Sequence, residues 1–184
     1  MQVKLTSYFS RLLSFFLLAT IGWGLLFGLW LGLYVGIGKG LLYGIGGGLI
    51  VAFVITFTGA LYDYLIRRQV FAKYGKKSFD VTQIREIFFN GDIKDIFERS
   101  VTALEKIPKI KHISSNSGVN KIVATTDTTW KTFGEKIEIE FFQELERIRV
   151  QVCSKPRLRT AIFDCGKNIE NVEILSSLLK SEMK

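Results

Sequence analysis

The sequence predicts a two-helix transmembrane hairpin followed by a cytosolic α+β domain, an antiparallel sheet with helices on one face. Three observations carry this. Leu12–Tyr62, a block of 51 residues, holds a single charged residue, Lys39. Inside that block glycine recurs at every fourth position, as Gly24, Gly28, Gly32, Gly36, Gly40, Gly44 and Gly48. From Asp63 onward charges arrive every few residues, and alternating apolar patterns replace the continuous apolar run.

One bilayer crossing takes about 20 residues, so the block holds two crossings and a turn. As one helix it would run roughly 75 Å, more than twice the hydrocarbon core. The break is expected at Gly36–Gly40, where three glycines loosen the backbone and Lys39 needs water. The expected layout is a cytoplasmic N-terminus over 1–11, helix 1 over 12–35 and an outward-facing turn over 36–40. Helix 2 over 41–65, a basic juxtamembrane linker over 66–77 and a cytosolic domain over 78–184 complete it. Lys4 and Arg11 precede the first segment as they would in a signal peptide, but its apolar run is too long and lacks a small-x-small cleavage site.

Charge sets the orientation. Lys4 and Arg11 stand before helix 1, Arg67, Arg68, Lys73, Lys76 and Lys77 follow helix 2, and the turn carries only Lys39. The positive-inside rule then places both termini in the cytoplasm of a multi-pass plasma (inner) membrane protein. Tyr34 and Tyr43 flank the turn, and Tyr62 and Tyr64 mark the opposite boundary, as interfacial aromatics do.

The glycine period has its own reason. Between helices in lipid the hydrophobic effect contributes little, so association relies on close backbone approach. Glycine at i, i+4 clears a groove along one stripe. Gly24, Gly28, Gly32, Gly44, Gly48 and Ala52 are therefore expected at a helix–helix seam, in a register that Thr20, Thr56 and Ala60 extend. The seam is expected within one hairpin. Gly22, Gly46 and Gly47 leave spare small surface for assembly with itself, as a homo-oligomer, or with another membrane protein. A glycine-lined pore is the sharper alternative, but no acidic ring or polar stripe marks a conduction path.

The soluble half reads as one small domain. Val81–Phe89 is a candidate first strand, Asp92 a helix N-cap, and Ile93–Ile107 a helix with apolar residues on helical spacing before Pro108. Alternation then marks strands in KIKHISS, NKIVATTDT, EKIEIEFF and RIRVQVCS, with QELE as the turn between the last two. Thr160–Asp164 is an optional further strand, and Asn168 is expected to cap a closing helix. The order is β-α-β-β-β-β-(β)-α.

TWKTFGEKIEIEF (Thr129–Phe141), SKP (Ser154–Pro156) and FDCGKNIENVE (Phe163–Glu173) carry a resemblance. Together they resemble a domain of unknown function in small bacterial membrane-anchored proteins, over about half the chain. The resemblance implies a cytosolic α+β module without an assigned activity, and no catalytic residues come with it. Read as residues, Asp164, Gly166 and Asn168 fit an Asx turn, a left-handed position and a cap. Gly134 suits a strand start or bulge, and Trp130 a core plug. Lys155, Arg157 and Arg159 crowd a loop around Pro156 without nearby acids in the sequence, a second basic patch that could meet lipid phosphates, although a solvated loop is the preferred reading.

Nothing in the sequence marks an enzyme, a metal site or a cofactor. His112 is the single histidine, Cys153 and Cys165 have no CxxC spacing, and no phosphate-binding, nucleophile-elbow or dinucleotide fingerprint occurs. From Asp63 to Lys184, 22 basic residues face 17 acidic ones, and five of the basic ones crowd the exit of helix 2. This favours anionic lipid over nucleic acid as the partner of the charge. The expected function is non-enzymatic: a glycine-zipper hairpin anchors or assembles in the membrane and displays an interaction or regulatory domain. The alternatives are a lipid or small apolar ligand held by the cytosolic domain, and an oligomeric pore.

Overall fold

A computed structural model describes residues 5–75, 78–129, 131–158 and 160–182. They fall into two compact units, one up to Leu65 and one from Ile66 onward. Lys4, Lys76, Lys77, Trp130 and Arg159 lie outside the described residues.

The first unit is built on α1 (Leu5–Val35) and the greater part of α2 (Ile37–Tyr74). Both helices are long and apolar enough to cross a membrane by length and composition. Their junction corrects the expected five-residue turn over 36–40. Only Gly36 leaves the helical conformation, with φ at +88° and its N–H donating to the Gly32 carbonyl at 3.1 Å. Gly40 already donates to the Gly36 carbonyl at 2.9 Å, so Ile37–Gly40 is the first turn of α2. One left-handed residue suffices to end a helix, and the other glycines keep their helical bonds because unpaired backbone is costly in apolar surroundings.

α2 also runs through most of the expected linker over 66–77. It ends at Gly75, with φ at +67° and its N–H bonded to the Phe71 carbonyl at 2.9 Å. No glycine or proline interrupts Ile66–Tyr74, so nothing local stops the helix sooner. Ile66–Tyr74 belongs to the second unit rather than to a free linker.

The rest of that unit is β1 (Gln83–Phe89), α3 (Ile93–Glu105), β2 (Ile110–Asn116), β3 (Lys121–Thr126), β4 (Glu135–Glu144), β5 (Arg147–Pro156) and α4 (Lys167–Glu182). The five strands form one antiparallel sheet in the order β1-β5-β4-β3-β2, an α+β arrangement. β2 to β5 form a meander, and α3 carries the chain from β1 across to the far edge. The optional strand at Thr160–Asp164 is irregular chain instead. The β4–β5 hairpin is tighter than QELE suggested, because Gln143 and Glu144 still pair with Ile148 and Arg147. Leu145 and Glu146 alone make the turn, with Leu145 at φ +25°.

Alternation sorts each strand into two faces. Ile122, Ala124, Ile137, Ile139, Ile148, Val150 and Val152 are fully buried on the inner face. Ile96, Ala103 and Leu104 of α3 and Val172, Leu175 and Leu179 of α4 close over them as one cluster. Each buried leucine contributes about 1.5–3 kcal/mol relative to an exposed one. Asp92 caps α3 as expected, accepting from the Lys94 N–H at 3.2 Å. The outer face is a ladder of opposite charges: Lys121 with Glu140 at 2.7 Å, Lys136 with Glu138 at 2.7 Å, and Arg149 with Glu144 at 2.7 Å.

Candidate functional site

In the first unit α1 and α2 meet in antiparallel order along their small residues. A Cβ added to Gly48 would lie 2.7 Å from the Gly24 Cα and the Thr20 carbonyl oxygen. One on Gly44 would lie 2.5 Å from the Gly28 Cα, and one on Gly40 would lie 2.6 Å from the Gly28 carbonyl oxygen. These are backbone atoms, which cannot swing aside. Gly24, Gly28, Gly32, Gly44, Gly48 and Ala52 are all buried, and Gly40, which the sequence reading assigned to the turn, joins them. Gly22, Gly38, Gly46 and Gly47 have nothing within 4 Å of such a Cβ and lie off the seam. Beyond Ala52 the same face of α2 carries Thr56, Ala60 and then Asp63, which is fully buried and accepts from the Tyr8 hydroxyl at 3.4 Å. No local pattern announces this contact, since Asp63 reads as a boundary residue between two tyrosines.

The second unit has a buried polar centre around Asp164. Its Oδ1 is ion-paired with Arg67 and accepts from the Gly166 N–H at 3.1 Å. Its Oδ2 accepts from the Asn168 backbone N–H at 3.2 Å and from the Asn168 side-chain amide at 2.8 Å. Asn168 in turn accepts from the Ser154 hydroxyl at 2.6 Å, and the Asn171 amide donates to Ser154 at 3.3 Å. Arg67 also donates to the Ser78 carbonyl at 3.1 Å. None of the five side chains belongs to a residue more than 1% exposed. Asn168 is thus not the cap of α4. Asp164 takes that role from outside the helix, and Gly166, at φ +71°, makes the turn between them. The spaced residues of the S-x-P, D-x-G-K-N and N-V-E blocks meet here, and Glu173 of the last accepts from Arg85 at 2.6 Å.

These contacts join α2, β5 and α4. The Ser154 hydroxyl faces an amide oxygen, not a base that would draw off its proton. His112 is exposed on β2. Cys153 is half-buried, and burial pushes its thiol above the ordinary range, against the nearby Lys155. Among the described residues no group of three or more His, Cys, Asp or Glu is placed to hold a metal ion.

The expected lipid cations divide. Arg67 is buried against Asp164 and is not available to lipid, because removing its charge from water requires the partner it has. Arg68 and Lys73 are exposed. In the second basic patch, Lys155 donates to Glu138 at 3.1 Å across the strand pair, so it is not free of acids; Arg157 is exposed, with its backbone N–H bonded to Gly134 at 3.0 Å. Glu138 is penalised by partial burial, yet hydrogen bonds from Lys136 and Lys155 hold its carboxyl below the usual range. Sequence reasoning missed a cavity of about 420 Å³ lined by Val70, Lys73, Lys109, Lys131, Lys167 and Glu170, among others. Its lysines come from four separate stretches of chain, too far apart for any short motif to show.

No protein-family model matches the chain, and no curated protein does. Among solved structures, TTHA0849 from Thermus thermophilus is similar at 10% identity and a TM-score of 0.33, covering 55% of this chain and 96% of that one. The di-domain ARO/CYC StfQ from the steffimycin biosynthetic pathway is similar at 14% identity and a TM-score of 0.31, over 56% of this chain and 50% of that one. Ara h 8.0201 is similar at 10% identity and a TM-score of 0.27, over 54% and 97%. Likeness at this level says nothing of what the chain does.

Proposed function

We propose that the protein is a non-enzymatic integral membrane protein of the plasma (inner) membrane. Its α1–α2 hairpin is a glycine zipper that crosses the bilayer twice with both termini cytoplasmic, and the α+β domain is displayed there as an interaction or regulatory module. One observation carries this reading. The hairpin is inside-out relative to a water-soluble helix pair: its seam holds glycine and alanine, while its large apolar side chains point away from the seam. Leu18 is 69% exposed, Ile50 67% and Leu33 82%. A row of such side chains over two helices is an aggregation hazard in water and the expected surface in lipid.

The off-seam glycines Gly22, Gly46 and Gly47 offer a second close-approach surface, for another copy or another membrane protein. The two alternatives have less support. The side chains between sheet and helices form one apolar cluster, which favours a packed core there over a ligand chamber. The seam glycines meet their partners inside one hairpin, which favours a packing role over a pore lining. The test is extraction of membranes carrying the full chain with alkaline carbonate and then with mild detergent. The protein stays in the pellet with carbonate and leaves it only with detergent; release by carbonate would overturn the reading. The mass of the detergent-solubilised complex then gives the partner.

A further inference from the structure

We infer that the lysine-lined cavity of the second unit is a binding site for a phosphate monoester, the headgroup of an anionic lipid or a small soluble phosphate. The cavity measures about 420 Å³, a size that encloses a headgroup or a small ligand. Among the described residues four lysines, Lys73, Lys109, Lys131 and Lys167, line it with one carboxylate, Glu170. Lys167 and Glu170 are paired at 2.8 Å. The cavity lining thus carries a clear excess of positive charge.

The outer face of the sheet mixes its charges: Lys121, Lys136 and Lys155 are each matched to Glu138 or Glu140. Surfaces of mixed charge avoid concentrating one sign, and a concave wall focuses the field that results when they do not. Lysine suits this task as a flexible point charge that can gather on a compact dianion.

Lys109 adds a second observation. It is held at φ +67°, a left-handed conformation that glycine or asparagine would adopt with less strain. Its carbonyl is fixed there by the Asp127 N–H at 2.9 Å. A lysine thus occupies a position that the backbone disfavours, in the lining of a cavity rich in cations. The start of α4 is not the anion site, because Asp164 already occupies the N–H groups of Gly166 and Asn168.

Val70 and Lys73 follow the apolar stretch of α2 closely along the chain. The lipid source of the phosphate thus rests on the membrane reading above, whereas the site itself rests on the second unit alone.

The test uses the full chain in a neutral detergent, titrated calorimetrically with dihexanoyl phosphatidic acid, dihexanoyl phosphatidylcholine and sn-glycerol 3-phosphate. Saturable binding of either monoester, with none of the choline lipid, is expected. Phosphatidic acid alone assigns the site to lipid, and glycerol phosphate as well assigns it to phosphate from either source. Lys109→Asn combined with Lys131→Gln weakens binding about tenfold or more, the loss of one to two charge-assisted contacts. Arg68→Gln, outside the cavity, leaves it unchanged. Near-UV circular dichroism checks the fold, and Lys73→Gln, at an exposed helical position, must weaken binding too. No saturable binding of either monoester, or wild-type affinity in both lysine variants, overturns the assignment. A carbonate-soluble protein that still binds glycerol phosphate would sink the membrane reading and leave the site standing.

Discussion

Gly44→Ala is the smallest change that tests the seam. The new methyl carbon would lie 2.5 Å from the Gly28 Cα and 2.6 Å from its nitrogen. Non-bonded carbons settle at about 3.5–4.0 Å, so the helices must part by about 1 Å at this point. A gap of that size forfeits about a quarter to a half of each contact along the neighbouring seam, a loss of about 1–3 kcal/mol, as overpacking elsewhere costs. Gly38→Ala, in the same helix, meets nothing within 4 Å and serves as the control. It removes a glycine from a helix at no packing cost and raises stability by up to about 1 kcal/mol. The assay is unfolding in mixed micelles of rising SDS fraction, followed by the fluorescence of Trp23 and Trp30 in a Trp130→Phe background. Opposite signs for the two variants are expected. Equal effects would refute the seam.

Three further outcomes follow from the second unit. Arg67→Met strands the buried Asp164 carboxylate and lowers the domain's stability in urea by about 3–5 kcal/mol, and adding Asp164→Asn restores part of it; an effect under about 1 kcal/mol, the value of a surface pair, would contradict the buried ion pair. Glu138 has a folded-state pKa below its unfolded one, so its contribution is present above about pH 4.5 and is lost as pH falls through the folded value. Glu138→Gln should therefore lose stability at neutral pH and show a shallower decline under acid titration, and an unchanged acid slope would contradict this. The Cys153 thiol is pushed up by burial, so iodoacetamide at mildly alkaline pH should modify the native chain more slowly than the urea-unfolded chain; equal rates would show the thiol to be accessible and unperturbed.

What the sequence made legible was local. The apolar block, the four-residue glycine period and the alternating strands each repeat within a helix turn or a strand pair, so their elements could be placed from spacing alone. Gly40 reads as part of the turn because Gly36, Gly38 and Gly40 crowd one short stretch, whereas the fold needs left-handed backbone only at Gly36. Arg67 read as one of a basic cluster, since its partner Asp164 lies 97 residues away. Lys155 looked free of acids because Glu138 reaches it across a strand pair rather than along the chain. The cavity lysines were invisible for the same reason, being drawn from positions 73, 109, 131 and 167. The D-x-G-K-N block was seen as a turn, but its tie to Ser154 through Asn168 needed the fold.

Thiol labelling shows whether the hairpin crosses a membrane with its turn on the side opposite the domain, as proposed. In a Cys153→Ser, Cys165→Ser background, Lys39→Cys reports the turn and Ser181→Cys reports the end of α4. Intact bacterial cells expressing each variant are treated with a membrane-impermeant maleimide, before and after permeabilisation. Labelling at position 39 is expected in intact cells, and at position 181 only once the membrane is opened. Labelling of both positions from the same side would contradict the proposed topology.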